Sequence, residues 1–148
     1  MEDTMQQHME QELRKSMELL YPKAPDHLYN KMGVELYSCS YAKQTVTLRF
    51  PVQRWELNHM CTVHGGIIAT AIDTACGMIV RSVTGKTVIP TINLNLNYLS
   101  PAMAGDALLV TAHADRAGRR ICNVHALCKS EKEGKLIATA TANFMVAE

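Results

Sequence analysis

One segment of the chain places a carboxylate downstream of a glycine pair on a predicted helix. Asp73 lies among isoleucine, alanine and methionine, eight residues after Gly65, which is followed by Gly66. Aspartate is almost never fully buried without a partner, and carboxylates in apolar surroundings cluster at functional sites. Asp73 is therefore a candidate general base. The alternative stays open that it is a satisfied structural carboxylate, or that it faces solvent with Thr70 and Thr74.

The triplet His64-Gly65-Gly66 begins the same predicted helix. The first N–H groups of a helix lack intrahelical partners and carry the positive end of its dipole. Glycine also lets a substrate approach the backbone closely. These N–H groups could form an oxyanion hole, a set of donors aimed at negative charge that develops on a carbonyl oxygen. A glycine-rich turn without a catalytic role is the alternative.

The distance between the two features constrains how they could work together. Eight residues of helix place Gly65 and Asp73 about 12 Å apart. A general base must come within about 3.2 Å of its proton, or act through one water. A two-fold dimer with antiparallel helices would bring each Asp73 next to Gly65 of the other chain. If both residues are catalytic, the spacing favours a site shared between two chains.

The elements that must position these residues are short strands and one apolar helix. The helix, predicted for residues 64–82, is apolar on almost every side and should be buried all round. Residues 91–98 alternate between apolar and polar, which predicts a strand. Its polar row, available to a second interface or to water, is Thr91, Asn93, Asn95 and Asn97. Residues 52–63 show neither the 3.6-residue period of a helix nor the two-residue period of a strand, so we predict a loop there.

Five further strands are predicted, at residues 34–41, 45–50, 107–115, 120–129 and 136–146. Turn residues at 116–119 and 130–134 connect the last three as hairpins. The order of helix, two strands, buried helix and four strands predicts an α+β domain. Its mainly antiparallel sheet should curl around the apolar helix.

An amphipathic helix is predicted at the N-terminus. It should end before Pro22 and Pro25. We therefore predict an N-terminal helix with a linker over residues 1–30 and a single domain over residues 31–148. The apolar residues that recur at steps of four and three, as on one helix face, are Met5, Met9, Leu13, Met17 and Leu20.

Composition restricts the class of protein. The chain has 15 Lys plus Arg against 14 Asp plus Glu, so it lacks the basic excess of a nucleic-acid binder. The N-terminal residues lack the apolar region of a secretory signal. The longest apolar run, residues 67–80 around Asp73, is shorter than the about 20 residues of a membrane span. We expect a cytoplasmic protein with reduced thiols and with no nucleic-acid or membrane partner.

Cysteine and histidine residues give weaker signals. The five cysteines fit no zinc pattern. Cys61 stands close to His59 and His64 and could be a thiol nucleophile, although a small loop residue is the favoured interpretation because no orienting third group is visible. His113 and His125 lie on predicted strands with no carboxylate spaced for a metal site, so structural roles are expected for them and no metal site is predicted.

The motif N-x5-HGG-x6-D is carried by Asn58, His64, Gly65, Gly66 and Asp73. It resembles the signature of hotdog-fold acyl-CoA thioesterases, in the PaaI-like branch that includes the thioesterase superfamily member 2 type. The run Asn-Tyr-Leu-Ser-Pro at 97–101 and the Gly-Asp pair at 105–106 are similar to that branch. The resemblance covers residues 32–146 and implies a sheet wrapped around a long central helix. One departure is position 61, a cysteine where the family usually has glycine.

The resemblance also implies a role for each motif residue. The N–H of Gly65 polarises the thioester carbonyl, and Asp73 of the partner chain is general base or nucleophile. Asn58 helps to hold the water or the thioester, and Thr91 helps to orient the water. His64 supports the loop and the helix start.

Substrate-binding candidates are Gly66 and the three arginines of one predicted hairpin. Arg116, Arg119 and Arg120 could meet the phosphates of coenzyme A, because arginine pairs well with phosphate oxygens. A solvated turn is the alternative for these arginines.

The leading functional prediction is hydrolysis of an acyl-CoA thioester to a free acid and coenzyme A, without a metal or redox cofactor. The enzyme is expected to be a homodimer that pairs into a homotetramer. One alternative is a non-catalytic acyl-CoA-binding hotdog module, which would not need a carboxylate beside the thioester. Another is a hotdog hydroxyacyl-thioester dehydratase, which would need a histidine as its base.

Overall fold

A computed structural model of the protein describes residues 1–20 and 26–147. The helices are α1 (Glu2–Leu20), α2 (Leu28–Met32) and α3 (Gly65–Thr84), and a single 3-10 turn covers Arg54–Glu56. The strands are β1 (Glu35–Ser40), β2 (Thr45–Pro51), β3 (Thr91–Tyr98), β4 (Ala107–Ala117), β5 (Ile121–Ser130) and β6 (Leu136–Met145).

The strands form one antiparallel sheet in the order β1-β2-β4-β5-β6-β3. Helix α3 contacts β2, β3, β4, β5 and β6, so the sheet wraps around it. Alternate strand residues are buried against the helix, as the period of two requires. The predicted α+β fold, with a sheet curled around one central helix, is confirmed.

The prediction that α3 is buried on all sides is wrong for the single chain. Ile68, Ile72 and Ile79 are buried against the sheet, whereas Asp73 and Arg81 lie on a side that is only half-buried. The sheet wraps around the other sides of α3 and leaves this side partly open. By length and composition α3 would also pass for a membrane span, but here its apolar residues pack on the strands.

Helix α1 packs against β1 and α3. Met9, Leu13 and Met17 are buried in the same core as α3, which confirms the predicted apolar face for these three residues, while Met5 is exposed. The side chain of Arg81 donates to the Ser16 hydroxyl at 3.2 Å. The predicted helix end at Pro22 and Pro25 and the side chain of Leu20 lie outside the described residues.

Helix α2 lies in a segment that the sequence predicts only as turns. His27 caps its N-terminus, where Nδ1 accepts from the Tyr29 N–H at 3.4 Å, and Gly33 ends it with a φ of 63°. Five residues are too few to show a helical period in the sequence. The predicted loop at 52–63 likewise contains the 3-10 turn.

An irregularity in β3 changes the face on which Thr91 lies. Thr91 pairs with Phe144 while Asn93 pairs with Asn143, so Ile92 is an extra residue on this strand. A bulge of this kind re-aims the neighbouring side chain. Thr91 therefore points toward α3, whereas Asn93 accepts from the Asn143 amide at 2.8 Å on the outer face. The single polar row predicted from Thr91 onward is wrong for Thr91.

Glu56 is a buried carboxyl just before α3, with only 3% of its surface exposed. Its Oε2 accepts from the Gln53 N–H at 2.9 Å, and its carbonyl accepts from the His64 N–H at 2.9 Å. Its Oε1 has no hydrogen-bond partner in the described part of the chain. Burial raises the pKa of Glu56, and the Gln53 N–H lowers it to a smaller extent.

We predict that Glu56→Gln makes folding stability less dependent on pH. Because the folded pKa of Glu56 is raised, its stabilising contribution is present below the unfolded pKa and is lost as the pH rises through the folded pKa. The free energy of unfolding of the variant minus that of the wild type should therefore increase between about pH 4 and pH 8. Urea denaturation across this range measures the difference, with exposed Glu133→Gln as the control. A difference that shrinks with pH contradicts the prediction.

Candidate active site

The start of α3 is capped by His64. Its backbone is extended, with φ −59° and ψ 135°, and its Nδ1 accepts from the Gly66 N–H at 2.9 Å. An Nδ1 that accepts carries no proton, so the ring proton is on Nε2. The N–H of Gly65 has no hydrogen-bond partner among the described residues. Of the two glycine N–H groups, that of Gly65 is the one available to a carbonyl oxygen.

The predicted substrate contact of Gly66 stays a prediction, and the structure limits its form. Because its N–H is already bonded to His64, Gly66 could contribute through its lack of a side chain. A Cβ at this position would meet the His64 ring nitrogen at 3.1 Å. The small residue therefore keeps the helix cap intact.

Tyr98 is a residue of this region that the motif does not include. Its hydroxyl donates to the Gly65 carbonyl at 2.7 Å. A Cβ on Gly65 would meet the Tyr98 ring at 3.3 Å, so glycine allows the tyrosine to lie against the turn. The signal in the sequence is its place in the 97–101 run that resembles the family.

Asn58 organises the loop before α3. Its Oδ1 accepts from the Met60 N–H at 2.9 Å and from the Thr62 N–H at 3.2 Å. Its own N–H donates to the Thr62 carbonyl at 2.8 Å. The side chain is thus engaged with its own loop. Its predicted contact with the water or the thioester stays a prediction.

Cys61 adopts a left-handed backbone conformation with a φ of 61°. The left-handed conformation destabilises a residue that has a Cβ by about 1–2 kcal/mol, whereas glycine has no Cβ and avoids this steric cost. This steric cost explains why the family that the motif resembles usually has a glycine at this position. Cys61 is exposed and its thiol is free.

We predict that Cys61→Gly stabilises the fold by about 0.5–1 kcal/mol, after the larger entropy loss of glycine is subtracted. Cys61→Ala is the matched control, because alanine removes the thiol and keeps the strain. Chemical denaturation compares the two variants. Equal stability of the glycine and alanine variants contradicts the prediction. Unchanged thioester turnover in both variants would also exclude Cys61 as the nucleophile.

Asp73 is held by Thr91 at the middle of α3. The Thr91 hydroxyl donates to Asp73 Oδ1 at 2.8 Å, and the inward turn of Thr91 at the β3 bulge makes this contact possible. A cavity of about 200 Å³ opens beside both side chains, and Phe144 and Arg81 are among the other residues in its wall. The second carboxylate oxygen, Oδ2, has no hydrogen-bond partner in the part of the chain that the structure describes.

Cys76 lies one turn beyond Asp73 and does not compete as a nucleophile. Burial, with the Asp73 charge as a smaller cause, raises the pKa of the Cys76 thiol to about 12. The thiolate, and not the thiol, is the nucleophilic form. Cys76 is therefore a buried packing residue.

The structure brings the predicted residues together in two separate groups. Asn58, His64 and Gly65 lie at the start of α3, and Asp73 lies with Thr91 eight residues along the helix. Eight residues of continuous helix span about 12 Å, and the cavity beside Asp73 has no wall residue from the first group. Within one chain, the carboxylate and the free N–H do not face a common point.

The three arginines form a third group on the β4–β5 hairpin. They are exposed, and Arg116, Arg119 and Arg120 line an open groove of about 550 Å³. Because β4 extends to Ala117, the predicted turn at 116–119 is shifted toward the start of β5. A neighbouring groove joins Arg119 and Arg120 to Ile92, the residue next to Thr91.

Comparison with known proteins decides the family. The model of the Thioesterase superfamily matches residues 60–137, which is more than half of the 148 residues. The chain belongs to the thioesterase superfamily. Acyl-coenzyme A thioesterase 13 of Mus musculus is 26% identical over 130 residues, which cover 88% of this chain and 91% of that protein.

Solved structures agree with the fold of this thioesterase superfamily member. Thioesterase superfamily member 2 from Mus musculus superposes with a TM-score of 0.77 at 25% identity, covering 93% of this chain and 96% of that one. The PaaI protein of the E. coli phenylacetic acid degradation operon gives a TM-score of 0.79 at 18% identity, covering 92% and 94%. The predicted hotdog fold and its PaaI-like branch are confirmed, and the protein is a thioester hydrolase.

The sequence analysis of this thioesterase superfamily member predicts that no carboxylate is placed to join His113 and His125 in one site. This prediction is wrong, because Asp115 contacts both histidines. Its Oδ1 lies 2.9 Å from the Nδ1 of His113 and 2.7 Å from the Nδ1 of His125. The strand register places the two histidines opposite each other, and a separation of twelve residues hides this pairing in the sequence.

Proposed function

We propose that the protein hydrolyses acyl-CoA thioesters to a free acid and coenzyme A, at sites that two chains build together. The observation that carries this proposal is the distance between the two proposed catalytic groups, the Asp73 carboxylate and the Gly65 N–H. Asp73, held by Thr91 beside a cavity, lies about 12 Å along α3 from the N–H of Gly65, which has no hydrogen-bond partner among the described residues. A second chain with its α3 antiparallel would supply the missing member of each pair.

Exposed apolar side chains around the start of α3 support a dimer. Met60, Tyr98, Leu99 and Met103 are each more than half exposed. Clustered exposed apolar residues mark interaction sites. Strand β3 is also an edge of the sheet, and an unpaired edge is a template for pairing with another chain. A dimer would cover both features, and a further pairing into a tetramer is part of the proposal.

In the proposed reaction, the thioester carbonyl oxygen accepts from the Gly65 N–H of one chain. Asp73 of the other chain takes a proton from a water, and the resulting hydroxide attacks the carbonyl carbon. The N–H stabilises the negative charge that develops on the oxygen. The C–S bond then breaks, the coenzyme A thiolate leaves and receives the proton, and the free acid remains.

In this proposal, Thr91 determines which carboxylate oxygen of Asp73 takes the proton from the water. Its hydroxyl donates to Oδ1, which orients the carboxylate and leaves Oδ2 to face the water. Direct attack by Asp73 on the carbonyl carbon, through an acyl anhydride that water then cleaves, is the other path open to the same geometry. Labelled oxygen from water that appears in the aspartate in a single turnover demonstrates the anhydride path with water attacking the aspartyl carbon, because general-base catalysis puts the label only in the free acid.

We further propose that the arginine hairpin binds the phosphates of coenzyme A. The groove that joins Arg119 and Arg120 includes Ile92, the residue next to Thr91 in the chain, and we propose that phosphates and thioester are bound at the same time. Arginine is suited to this role because its planar group pairs with phosphate oxygens in a bidentate manner.

We predict that the double variant Arg119→Ala/Arg120→Ala raises KM for acyl-CoA about 10-fold with little change in kcat, because it removes charged hydrogen bonds to the substrate. A thioester of pantetheine, which lacks the nucleotide phosphates, should show no such change. Arg14→Ala on α1, where Arg14 pairs with Glu10, is the control. An equal effect on both substrates would exclude phosphate binding.

The experiment that tests the proposed function measures thiol release over a panel of short, long and aromatic acyl-CoAs. Turnover of at least one substrate above the background rate supports the enzyme. Saturable binding without turnover across the panel would instead favour a non-catalytic acyl-CoA-binding module. The profile over the panel also identifies the acyl group.

A further inference from the structure

The outer face of the sheet carries a cluster of side chains that the thioesterase reaction does not use. It consists of His113, Asp115 and His125, on β4 and β5. Their neighbours Ala112 and Val124 are buried toward α3, so these three residues lie on the opposite side of the sheet from Asp73. We call them the His-Asp-His cluster.

The strand geometry brings the His-Asp-His cluster together. His113 and His125 are directly paired across β4 and β5, and their ring centroids lie 4.7 Å apart. The register of β4 shifts between Ala114 and Arg116, which makes Asp115 the extra residue of a bulge. A bulge can re-aim a side chain, and here the Asp115 carboxylate lies against both rings.

One carboxylate oxygen serves both imidazoles. Asp115 Oδ1 lies 2.9 Å from Nδ1 of His113 and 2.7 Å from Nδ1 of His125. The ligand atoms of the three residues all lie within 4.8 Å of one another. Two nitrogen donors and one oxygen donor within 4.8 Å of one another, held by paired strands, are a set of ligands that first-row transition metals bind.

We propose that the His-Asp-His cluster binds a divalent first-row transition cation, for which Zn²⁺ is the probe. Zinc bonds of about 2.0–2.2 Å to nitrogen and oxygen require tetrahedral ligands about 3.3 Å apart. The present separations of 2.7 and 2.9 Å need to open by only about 0.5 Å. The side chains can make this shift because they are 37–45% exposed.

Binding replaces the contacts between the rings and Asp115 by bonds to the cation. The cation takes the Nδ1 lone pair of each neutral imidazole and a lone pair of the ionised carboxylate, and each ring carries its single proton on Nε2. Three protein ligands leave the fourth position of a tetrahedral site to water or to a group from another molecule. The site is on the outer face, so its occupation is independent of the Asp73 chemistry.

The test is calorimetric titration of ZnCl₂ into the 148-residue chain. Every protein sample carries Cys61→Ser, because the exposed Cys61 thiol is itself a zinc ligand close to His59 and His64. Asp115→Asn and His125→Gln remove single ligands, and His113→Gln/His125→Gln removes two. His8→Gln is the matched control, since His8 is exposed on α1 outside the cluster.

We expect one Zn²⁺ per chain, with affinity at least about 10-fold weaker in each single variant, undetectable in the double variant and unchanged in His8→Gln. Zinc should also raise the midpoint of thermal unfolding of the protein but not of the double variant, because only the folded state forms the site. The proposal is overturned by an absence of saturable binding. It is equally overturned if folded double variant, checked by circular dichroism, binds Zn²⁺ as well as its parent.

Discussion

Replacement of Asp73 by asparagine is expected to lower kcat at least about 100-fold, the scale for loss of a positioned acid–base group. Asparagine keeps the shape of the side chain, and its amide oxygen can still accept from the Thr91 hydroxyl, which now lies 2.8 Å from Asp73 Oδ1. The variant loses the negative charge and the oxygen that takes a proton from water. Thiol release from the best acyl-CoA of the panel measures the effect.

Two controls show whether the lower kcat comes from the missing carboxylate or from a change in folding or assembly. Sedimentation and circular dichroism should show that the Asp73→Asn protein stays folded and dimeric, because Asp73 is only half-buried and its volume is unchanged. Thr91→Val removes the hydroxyl and keeps the branched shape, and we expect it to lower kcat by a smaller factor because the carboxylate remains. Wild-type turnover by a folded Asp73→Asn protein would exclude Asp73 from the reaction.

The sequence predicts the fold well because its strands have a strict period of two. The strand at residues 91–98 is predicted with the same ends that the structure shows. The long helix is found one residue later at its start and two residues later at its end, at Gly65–Thr84. These elements follow from burial alone, since one face of each strand must meet the apolar helix.

The side-chain contacts that depend on a β-bulge, in which one strand has an extra residue, could not be predicted from the sequence. Strict alternation places Thr91 on the same face as Asn93, yet the bulge at Ile92 turns it toward Asp73. A second bulge at Asp115 brings a carboxylate to two histidines. A bulge changes the phase of the two-residue period, but the residues that these two bulges re-aim, Thr91 and Asp115, are polar. The alternation of apolar and polar residues therefore gives no sign of either bulge.

Other features of the site also have local causes that a motif does not show. The hydroxyl of Tyr98 reaches the Gly65 carbonyl because β3 ends beside the start of α3. Cys61, with its positive φ, lies between Met60 and Thr62, whose N–H groups both donate to Asn58 Oδ1. The Tyr98 contact depends on how β3 packs against α3, whereas Cys61 lies within a loop closed by its own hydrogen bonds, and a motif shows neither.

A mixture of two inactive variants is expected to regain activity if the site is shared between chains. Asp73→Asn removes the carboxylate, and Gly65→Pro removes the proposed N–H donor. A mixed dimer has one site with both defects and one with neither. With random exchange of equal amounts, about half of the dimers are mixed, so activity should return to roughly a quarter of wild type.

The structure indicates that proline can be accommodated at position 65. Gly65 is the first residue of α3, where proline is favoured, and His64 before it has φ −59° and ψ 135°, the extended conformation that a residue before proline adopts. Its Cβ would approach the Tyr98 ring at 3.3 Å, and Tyr98 is exposed enough to move. Gly65→Ala makes the same approach but keeps the N–H, so it should retain activity.

The comparison of these variants separates a shared site from a site within one chain. If Gly65 and Asp73 of the same chain act together, every mixed dimer carries one defect in each site, and the mixture stays inactive. Mass spectrometry of the intact dimers shows whether the chains have exchanged. Restored activity in an exchanged mixture requires that the carboxylate and the N–H come from different chains, because no chain in it carries both. An inactive mixture with confirmed exchange would assign the thioester to a single chain, and Asp73 would then need a donor other than Gly65, about 12 Å away on the same helix.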